Sequence, residues 1–226
     1  MCIVPQHDVT GWTVWGSAVV LARYLLEYGA PMLAGAQVLE LGAGCGLSGL
    51  AAAQRCSPAH VWLTDFNAAT VENLAANAAA NAASCAPLRC SRMDWDAPET
   101  WPRHDGDGGD SPTCMFDVVI GADLVYRRSY ARKLVGVLSE LLRPHGAFVC
   151  ATPGQRDGLQ TLQRALEGAG WTCEAELDAP PDWRTSPLRP AAGQTAEEAL
   201  MHFPELAMKS MAYELKVFVF RKPAAE

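Results

Sequence analysis

The stretch Gln37-Val38-Leu39-Glu40-Leu41-Gly42-Ala43-Gly44-Cys45-Gly46-Leu47-Ser48-Gly49 constrains this chain more than any other. An apolar run meets one acid and then breaks into closely spaced glycines, which reads as a buried strand, a tight turn and a helix start. The missing side chains at Gly42, Gly44 and Gly46 let the backbone turn sharply and let a ligand lie against it. The following helix presents its positive end and free N–H groups to that ligand. The spacing Glu-x-Gly-x-Gly-x-Gly departs from the dinucleotide pattern Gly-x-Gly-x-x-Gly, so a nicotinamide cofactor is not the first choice for the polar or anionic group expected here.

The surrounding chain repeats the same alternation. A helix over about 14–27 has apolar residues at helical spacing, with Gly29 and Pro31 as stop signals. After the glycine loop, Leu47 to Arg55 forms a short helix, and His60 to Thr64 a second strand that ends at Asp65. Together these make one βαβ unit. Asn67 is suited to cap a helix from Ala68 to Ala83, on which Asn73, Asn77 and Asn81 make a stripe expected to be solvated surface. Pro87 to Met93 reads as a third strand closing on Asp94-Trp95. A flexible loop rich in Pro, Gly and Asp is expected over about 96–114. Its Asp105-to-Asp110 run has the glycine and closing glutamate misplaced for a calcium loop.

Phe116 to Ala122 is a near-continuous apolar run, suited to a parallel strand covered on both faces, and it leads into Asp123-Leu124-Val125-Tyr126. A helix from about Ser129 to Leu142, a stop at Pro144-His145-Gly146, and a fifth strand from Ala147 to Thr152 follow. A helix from Asp157 to Gly168 and a sixth strand from Trp171 to Leu177 come next. The prolines from 180 to 190 open an elaboration over about 179–210, in which Thr195 and Glu198 make a capping box for a short helix. Met211 to Arg221 supplies the last strand. The expected architecture is one α/β domain over 1–226, a Rossmann-like three-layer fold whose mostly parallel sheet has seven strands and an antiparallel last strand.

Half of the 226 residues are hydrophobic, enough for one well-buried core. The formal charge of −7 argues against a general nucleic-acid or acidic-membrane binder. No run is long enough to span a bilayer, and the start of the chain lacks the regions of a signal peptide. The eight cysteines are scattered without Cys-x-x-Cys pairs, as befits free thiols in the reducing cytosol or nucleus. Cys45 reads as a small filler rather than a nucleophile. Cys85, Cys90, Cys114 and His104 give no warrant for a metal site, and none is expected.

Ligands of open parallel sheets bind beyond the carboxyl ends of the strands, so those ends hold the candidate residues. Asp65 lies 25 positions after Glu40, near the offset of about 20 at which a carboxylate accepts the hydroxyls of a ribose. Its simpler reading is an N-cap, for which Asn67 is also available. Trp95 suits an aromatic wall for a purine or, equally, core packing. Glu40 is placed either to meet an ammonium group or to hold the glycine loop through backbone N–H groups. Asp123 and Tyr126 read as a reactive pair after the fourth strand or, more simply, as a turn cap and a packing residue. Trp183, Arg184 and Arg189 either grip a substrate or belong to an exposed elaboration.

Val14-Trp15, the Leu39-to-Gly46 loop, Leu63-Thr64-Asp65, Asp94-Trp95 and Gly121-Ala122-Asp123-Leu124-Val125-Tyr126 stand in the order and spacing of methyltransferase family 16. The chain resembles these seven-strand S-adenosylmethionine-dependent enzymes, which mostly methylate protein lysines, over roughly residues 10 to 178. The Asp-x-x-Tyr signature, Asp123 to Tyr126, is far more specific than the glycine loop. The resemblance implies that Trp15, Glu40, Gly42, Ala43, Gly44, Gly46, Asp65, Trp95 and Ala122 hold S-adenosylmethionine, with S-adenosylhomocysteine as product. It further implies that Asp123 and Tyr126 face the acceptor. Gly16 stands where family members often carry an acid. A chaperone or translation-related protein is the implied partner of a monomeric enzyme. Because the cofactor carries the activated methyl, the protein's task is binding, alignment and exclusion of water, and no Cys or Ser nucleophile is required. Arginine, histidine, small-molecule or RNA acceptors, and a non-catalytic cofactor-binding protein, are the competing readings.

Overall fold

The structure is a computed structural model that describes residues 10–103, 115–180, 183 and 214–224. Among the expected features, His104, the run from Asp105 to Asp110, Cys114, Arg184, Arg189 and the helix after Thr195 lie outside these residues. Seven strands form one sheet: β1 (Gln37–Leu41), β2 (His60–Asp65), β3 (Leu88–Arg92), β4 (Phe116–Ala122), β5 (Leu142–Pro153), β6 (Thr172–Asp178) and β7 (Leu215–Arg221). Their order is β3-β2-β1-β4-β5-β7-β6. The first five strands run parallel, and β7 inserts antiparallel between β5 and β6. The connections reverse direction between β1 and β4, which opens a crevice at their carboxyl ends.

Among the described residues, the helices that cover the sheet are α1 (Gly16–Tyr28), α2 (Ala30–Leu33), α3 (Leu47–Arg55), α4 (Ala68–Asn81), α5 (Arg128–Leu141) and α6 (Leu159–Gly168). Period-two alternation divides the strand side chains between two cores. Val38, Val118, Ile120, Val217 and Val219 pack beneath α1, α3 and α4. Leu39, Leu41, Val119, Phe218 and Phe220 pack beneath α5 and α6. On α5 the residues Ala131, Leu134, Val137, Leu138 and Leu141 are buried at helical spacing. Each leucine fully buried in this way contributes about 1.5–3 kcal/mol. The same alternation puts Glu40 on the α3 face of β1, one position from Leu39 and Leu41 on the opposite face.

Several boundaries differ from the sequence expectation. α1 ends at Tyr28 with Gly29 as its C-cap, close to the expected stop, but Gly29 stays right-handed at φ −77° and Pro31 falls in the first turn of a second helix, α2. Proline is tolerated there because the first N–H groups of a helix have no internal partner. Pro144-His145-Gly146 does not precede β5 but bulges within it. Phe116 aligns with Leu142 and Val118 with Ala147, while His145 takes φ 60°. The expected flexible loop begins as a 3-10 turn at Pro98–Thr100, and Trp101 Nε1 donates to the Asp94 carbonyl at 2.9 Å. Trp183 is buried against the α1-side core, its ring 6.2 Å from Tyr28, so it is a packing residue rather than a substrate grip.

The asparagine stripe on α4 is also more than solvated surface. Asn77 Nδ2 donates to the Cys45 carbonyl at 3.0 Å, and Asn81 Nδ2 donates to the Asn77 carbonyl at 2.8 Å. The long alanine-rich helix thereby ties down the glycine loop.

Candidate active site

A cavity of about 760 Å³ opens at the carboxyl ends of β1 to β5. Its wall includes Trp15, Glu40, Gly42, Ala43, Gly44, Asp65, Trp95, Ala122, Asp123 and Tyr126. Gly46 is the exception among the expected site residues. It takes φ 84° as the residue before α3, and a Cβ there would stand 2.6 Å from Leu74 Cδ1, so it makes the turn rather than the wall.

The glycine loop spends its N–H groups inside the protein. Ala43 N–H donates to the Thr64 carbonyl at 2.8 Å, Gly44 N–H to Asp65 Oδ2 at 3.0 Å, and Gly46 N–H to the Ala43 carbonyl at 2.8 Å. Two helix starts supply the positive ends instead. Gly16, Ser17 and Ala18 at the start of α1 line the cavity, as does Leu47 at the start of α3. Neither N-cap residue, Trp15 or Gly46, caps its helix with its own side chain. Ser48 Oγ donates to the Ala18 carbonyl at 3.3 Å and holds the two starts together. The dipoles of the two helix starts favour an anion between them.

Glu40 stands beside these helix starts and is only 2% exposed. Gly49 N–H donates to Glu40 Oε2 at 2.9 Å, an approach that needs glycine because a Cβ at 49 would lie 2.5 Å from that oxygen. Burial pushes the Glu40 carboxyl up to about 8, opposed by the Gly49 and Ser48 hydrogen bonds and reinforced by the charge of Asp65. The carboxylate therefore holds the first turn of α3, and a cation placed beside it would favour its charged form.

Asp65 and Asn67 divide the work at the end of β2. Asn67 Oδ1 accepts from Ala69 N–H at 2.9 Å and from Thr70 N–H at 3.3 Å, making it the helix cap. Asp65 Oδ1 accepts from Asn67 N–H at 3.1 Å, so Asp65 braces both the loop and the cap. Thr70 Oγ1 is buried at the cavity wall and has no hydrogen-bond partner among the described residues. Burial and Asp65 raise the Cys45 thiol above its ordinary value, leaving it protonated and unsuited to nucleophilic work. Among the described residues, no group of three or more His, Cys, Asp or Glu is placed to hold a metal ion.

The far side of the cavity is built differently. Asp123 sits in the left-handed region at φ 53°, unusual for a residue with a Cβ, and its N–H donates to the Ala151 carbonyl at 2.8 Å. Its carboxylate forms a two-pronged ion pair with Arg156. Tyr126 is 49% exposed at the rim, and its ring meets Tyr130 edge-on at 5.1 Å. Tyr130 in turn meets Trp95 edge-on at 6.1 Å. Lys133, also on the wall, is paired with Asp96.

Sequence reasoning did not single out Arg156, Tyr130, Lys133 or Phe66 on this wall. Arg156 follows the end of β5, so the strand-end rule carried past the fourth strand would have found it. Phe66 directly follows Asp65. Tyr130 and Lys133 carried no such signal, since on sequence they are polar positions of an amphipathic helix.

The lysine methyltransferase family profile matches residues 5–166, and the chain belongs to that family. A bovine relative, protein-lysine N-methyltransferase EEF2KMT, is 33% identical over 185 residues, covering 74% of this chain and 54% of its own. The human putative protein N-methyltransferase FAM86B1 is 30% identical over 192 residues, covering 76% and 55% respectively. The chain thus spans about half the length of the curated relatives it matches. Among solved structures, the [4+2]-cyclase SpnF superposes with a TM-score of 0.60 at 18% identity, over 92% of this chain and 81% of that one. At that identity the likeness shows the shared fold alone, and the chemistry has to be argued from the site.

Proposed function

We propose that the chain is an S-adenosylmethionine-dependent methyltransferase acting on a lysine amine of a protein. The observation that carries this reading is the juxtaposition of two helix starts with the buried carboxyl of Glu40 on one cavity wall. That wall matches the two ends of an amino-acid group: the helix starts take a carboxylate, and Glu40 takes an ammonium. Asp65 adds acceptor oxygens for ribose hydroxyls, the buried Thr70 hydroxyl lacks a partner among the described residues, and Phe66 and Trp95 offer ring surface to a purine. The residues present therefore fit S-adenosylmethionine.

The bound cofactor supplies the activated methyl group. The chain's own residues align the acceptor and keep water out. Asp123 accepts an amine N–H and orients the nitrogen, while the Tyr126 and Tyr130 rings wall the approach. Asp123 acts as an orienting group rather than a base, because its carboxylate is already engaged by Arg156.

A chaperone or translation-related acceptor, a monomeric enzyme and a cytosolic or nuclear site complete this reading. The free thiols of all six described cysteines support a reducing compartment. Thermal stabilisation by S-adenosylmethionine but not by NAD is expected. Incubation with labelled S-adenosylmethionine and a cell lysate, followed by mass spectrometric site mapping, is expected to label lysines. Label confined to arginine, histidine or RNA would redirect the acceptor, and no label at all would leave a binding protein.

A further inference from the structure

Both oxygens of Asp123 are held by groups from the end of β5. Arg156 Nε donates to Oδ1 at 2.7 Å, Arg156 Nη2 donates to Oδ2, and Thr152 Oγ1 donates to Oδ1 at 3.4 Å. The Asp123 side chain is 13% exposed and that of Arg156 27%, so solvent screens the pair weakly. Both partners are fixed through their backbones: Asp123 N–H to the Ala151 carbonyl, and Arg156 N–H to the Pro153 carbonyl at 3.0 Å. We infer that Arg156 is a positioning residue that cancels the charge of Asp123, so that the acceptor amine is oriented by the carboxylate without being trapped as an ammonium. The inference rests on the lysine reading above.

A lysine amine in water has a pKa of about 10.4, and only its neutral form attacks. A lone carboxylate within about 4–6 Å would raise that value further, by about 1–3 units. A carboxylate paired with a guanidinium presents a nearly neutral couple and lacks that effect. It still has one lone pair to give, on Oδ2, because each oxygen carries two, the arginine fork takes one from each and Thr152 takes the second on Oδ1. The lysine nitrogen is thus held by a hydrogen bond in the absence of a strong negative field. With the cofactor bound, the nitrogen lone pair would take the methyl as the C–S bonding pair stays with sulfur, so the positive charge would pass from sulfur to nitrogen while Asp123 holds that nitrogen in place.

Among the described residues, the other charged or titratable groups lining this space are named by element, beginning with Cys45 in the glycine loop, whose thiol is raised above its ordinary value by burial. Tyr126 lies on the same turn as Asp123, and α5 contributes Tyr130 and Lys133. Lys133 is paired with Asp96, which with Asp94 follows β3. Glu40 and Asp65 lie on the β1 and β2 side, committed to Gly49 and to the glycine loop. Among the described residues, Arg156 is the cation bonded to Asp123.

The test is single-turnover methylation between about pH 6 and pH 11, a range that reaches the aqueous lysine value of about 10.4. The probe is the lysate protein most heavily labelled by the wild-type enzyme, compared across wild type, Arg156→Gln and Arg156→Lys. Arg156→Gln keeps donors but removes the charge, and its acid limb is expected to move up by about one unit, with a roughly tenfold loss near neutrality that fades at high pH. Arg156→Lys keeps the charge and is expected to hold the limb near its wild-type place. Thermal stabilisation by S-adenosylmethionine reports that each variant is folded, and Arg156→Met replaces the glutamine should that one not fold. A loss equal at every pH, or a lysine variant that behaves like the glutamine, overturns the inference while leaving the lysine reading intact. A wild-type enzyme that labels no lysine overturns the lysine reading itself, before any variant is made.

Discussion

On the β1–β2 side of the cavity most polar groups come from one run of chain, Glu40 to Thr70, joined by the start of α1, and backbone does much of the work. The starts of α1 and α3 face the ligand space, Asp65 braces Gly44, and Glu40 holds Gly49. On the β4–β5 side the working groups are side chains from separate elements: Asp123 and Tyr126 after β4, Arg156 after β5, Tyr130 and Lys133 from α5. The first side, the cofactor seat in the function proposed above, is built by one βαβ unit together with the start of α1. The second exists only once the sheet has brought two strand ends together. Cofactor binding and transfer should therefore be separable by mutation.

The largest effect should fall on the β4 side. Asp123→Ala is expected to lower methyl transfer by about 100-fold or more, because the acceptor nitrogen loses its orienting oxygen. Calorimetry should show S-adenosylmethionine binding preserved in that variant, and turnover at the wild-type rate would break the comparison. Next is Asp65→Ala, expected to weaken cofactor binding about 10- to 100-fold, as befits loss of charged hydrogen bonds worth about 1.5–3 kcal/mol. A titration showing unchanged affinity would remove Asp65 from the seat.

Glu40→Gln separates stability from binding. The folded pKa of Glu40 is raised to about 8 by burial, so its contribution to stability is fully present below the unfolded value near 4.5 and is lost as pH rises toward 8. Without cofactor, the glutamine variant should melt several degrees higher than wild type at about pH 8 and gain little at about pH 5. The same variant should bind S-adenosylmethionine more weakly, having no charge for the ammonium. Equal melting differences at both pH values would contradict the buried carboxyl. The smallest effect is expected from Asn77→Ala, which removes the bond to the Cys45 carbonyl. About 1 kcal/mol, or roughly 2–4 °C in melting temperature, should go, with transfer changed little once the cofactor is bound.

The two sides also differ in how far they could be read in advance. Strand, glycine turn, helix, strand and acid lie in sequence order, so local pattern placed Glu40, Asp65 and the Asn67 cap. What it missed on that side was tertiary: the loop's N–H groups turn inward, Gly46 faces Leu74, and Asn77 reaches the loop from a helix that looked merely solvated. On the other side the Asp123-to-Tyr126 signature was legible, but its ion pair was not. Asp123 and Arg156 lie 33 residues apart, and no periodicity links them. Trp183, within a proline-rich stretch that looked exposed, proved to be core.

The sequence by itself determined the alternation of strands and helices, the crevice at the strand ends and the acids that stand there, because hydrophobic period and turn chemistry act over a few residues. Only the tertiary structure decided which of those acids are charged, paired or braced. Burial of Glu40 beneath α3 and the meeting of Asp123 with Arg156 depend on which surfaces the sheet brings together, and electrostatics follows distance in space rather than distance along the chain.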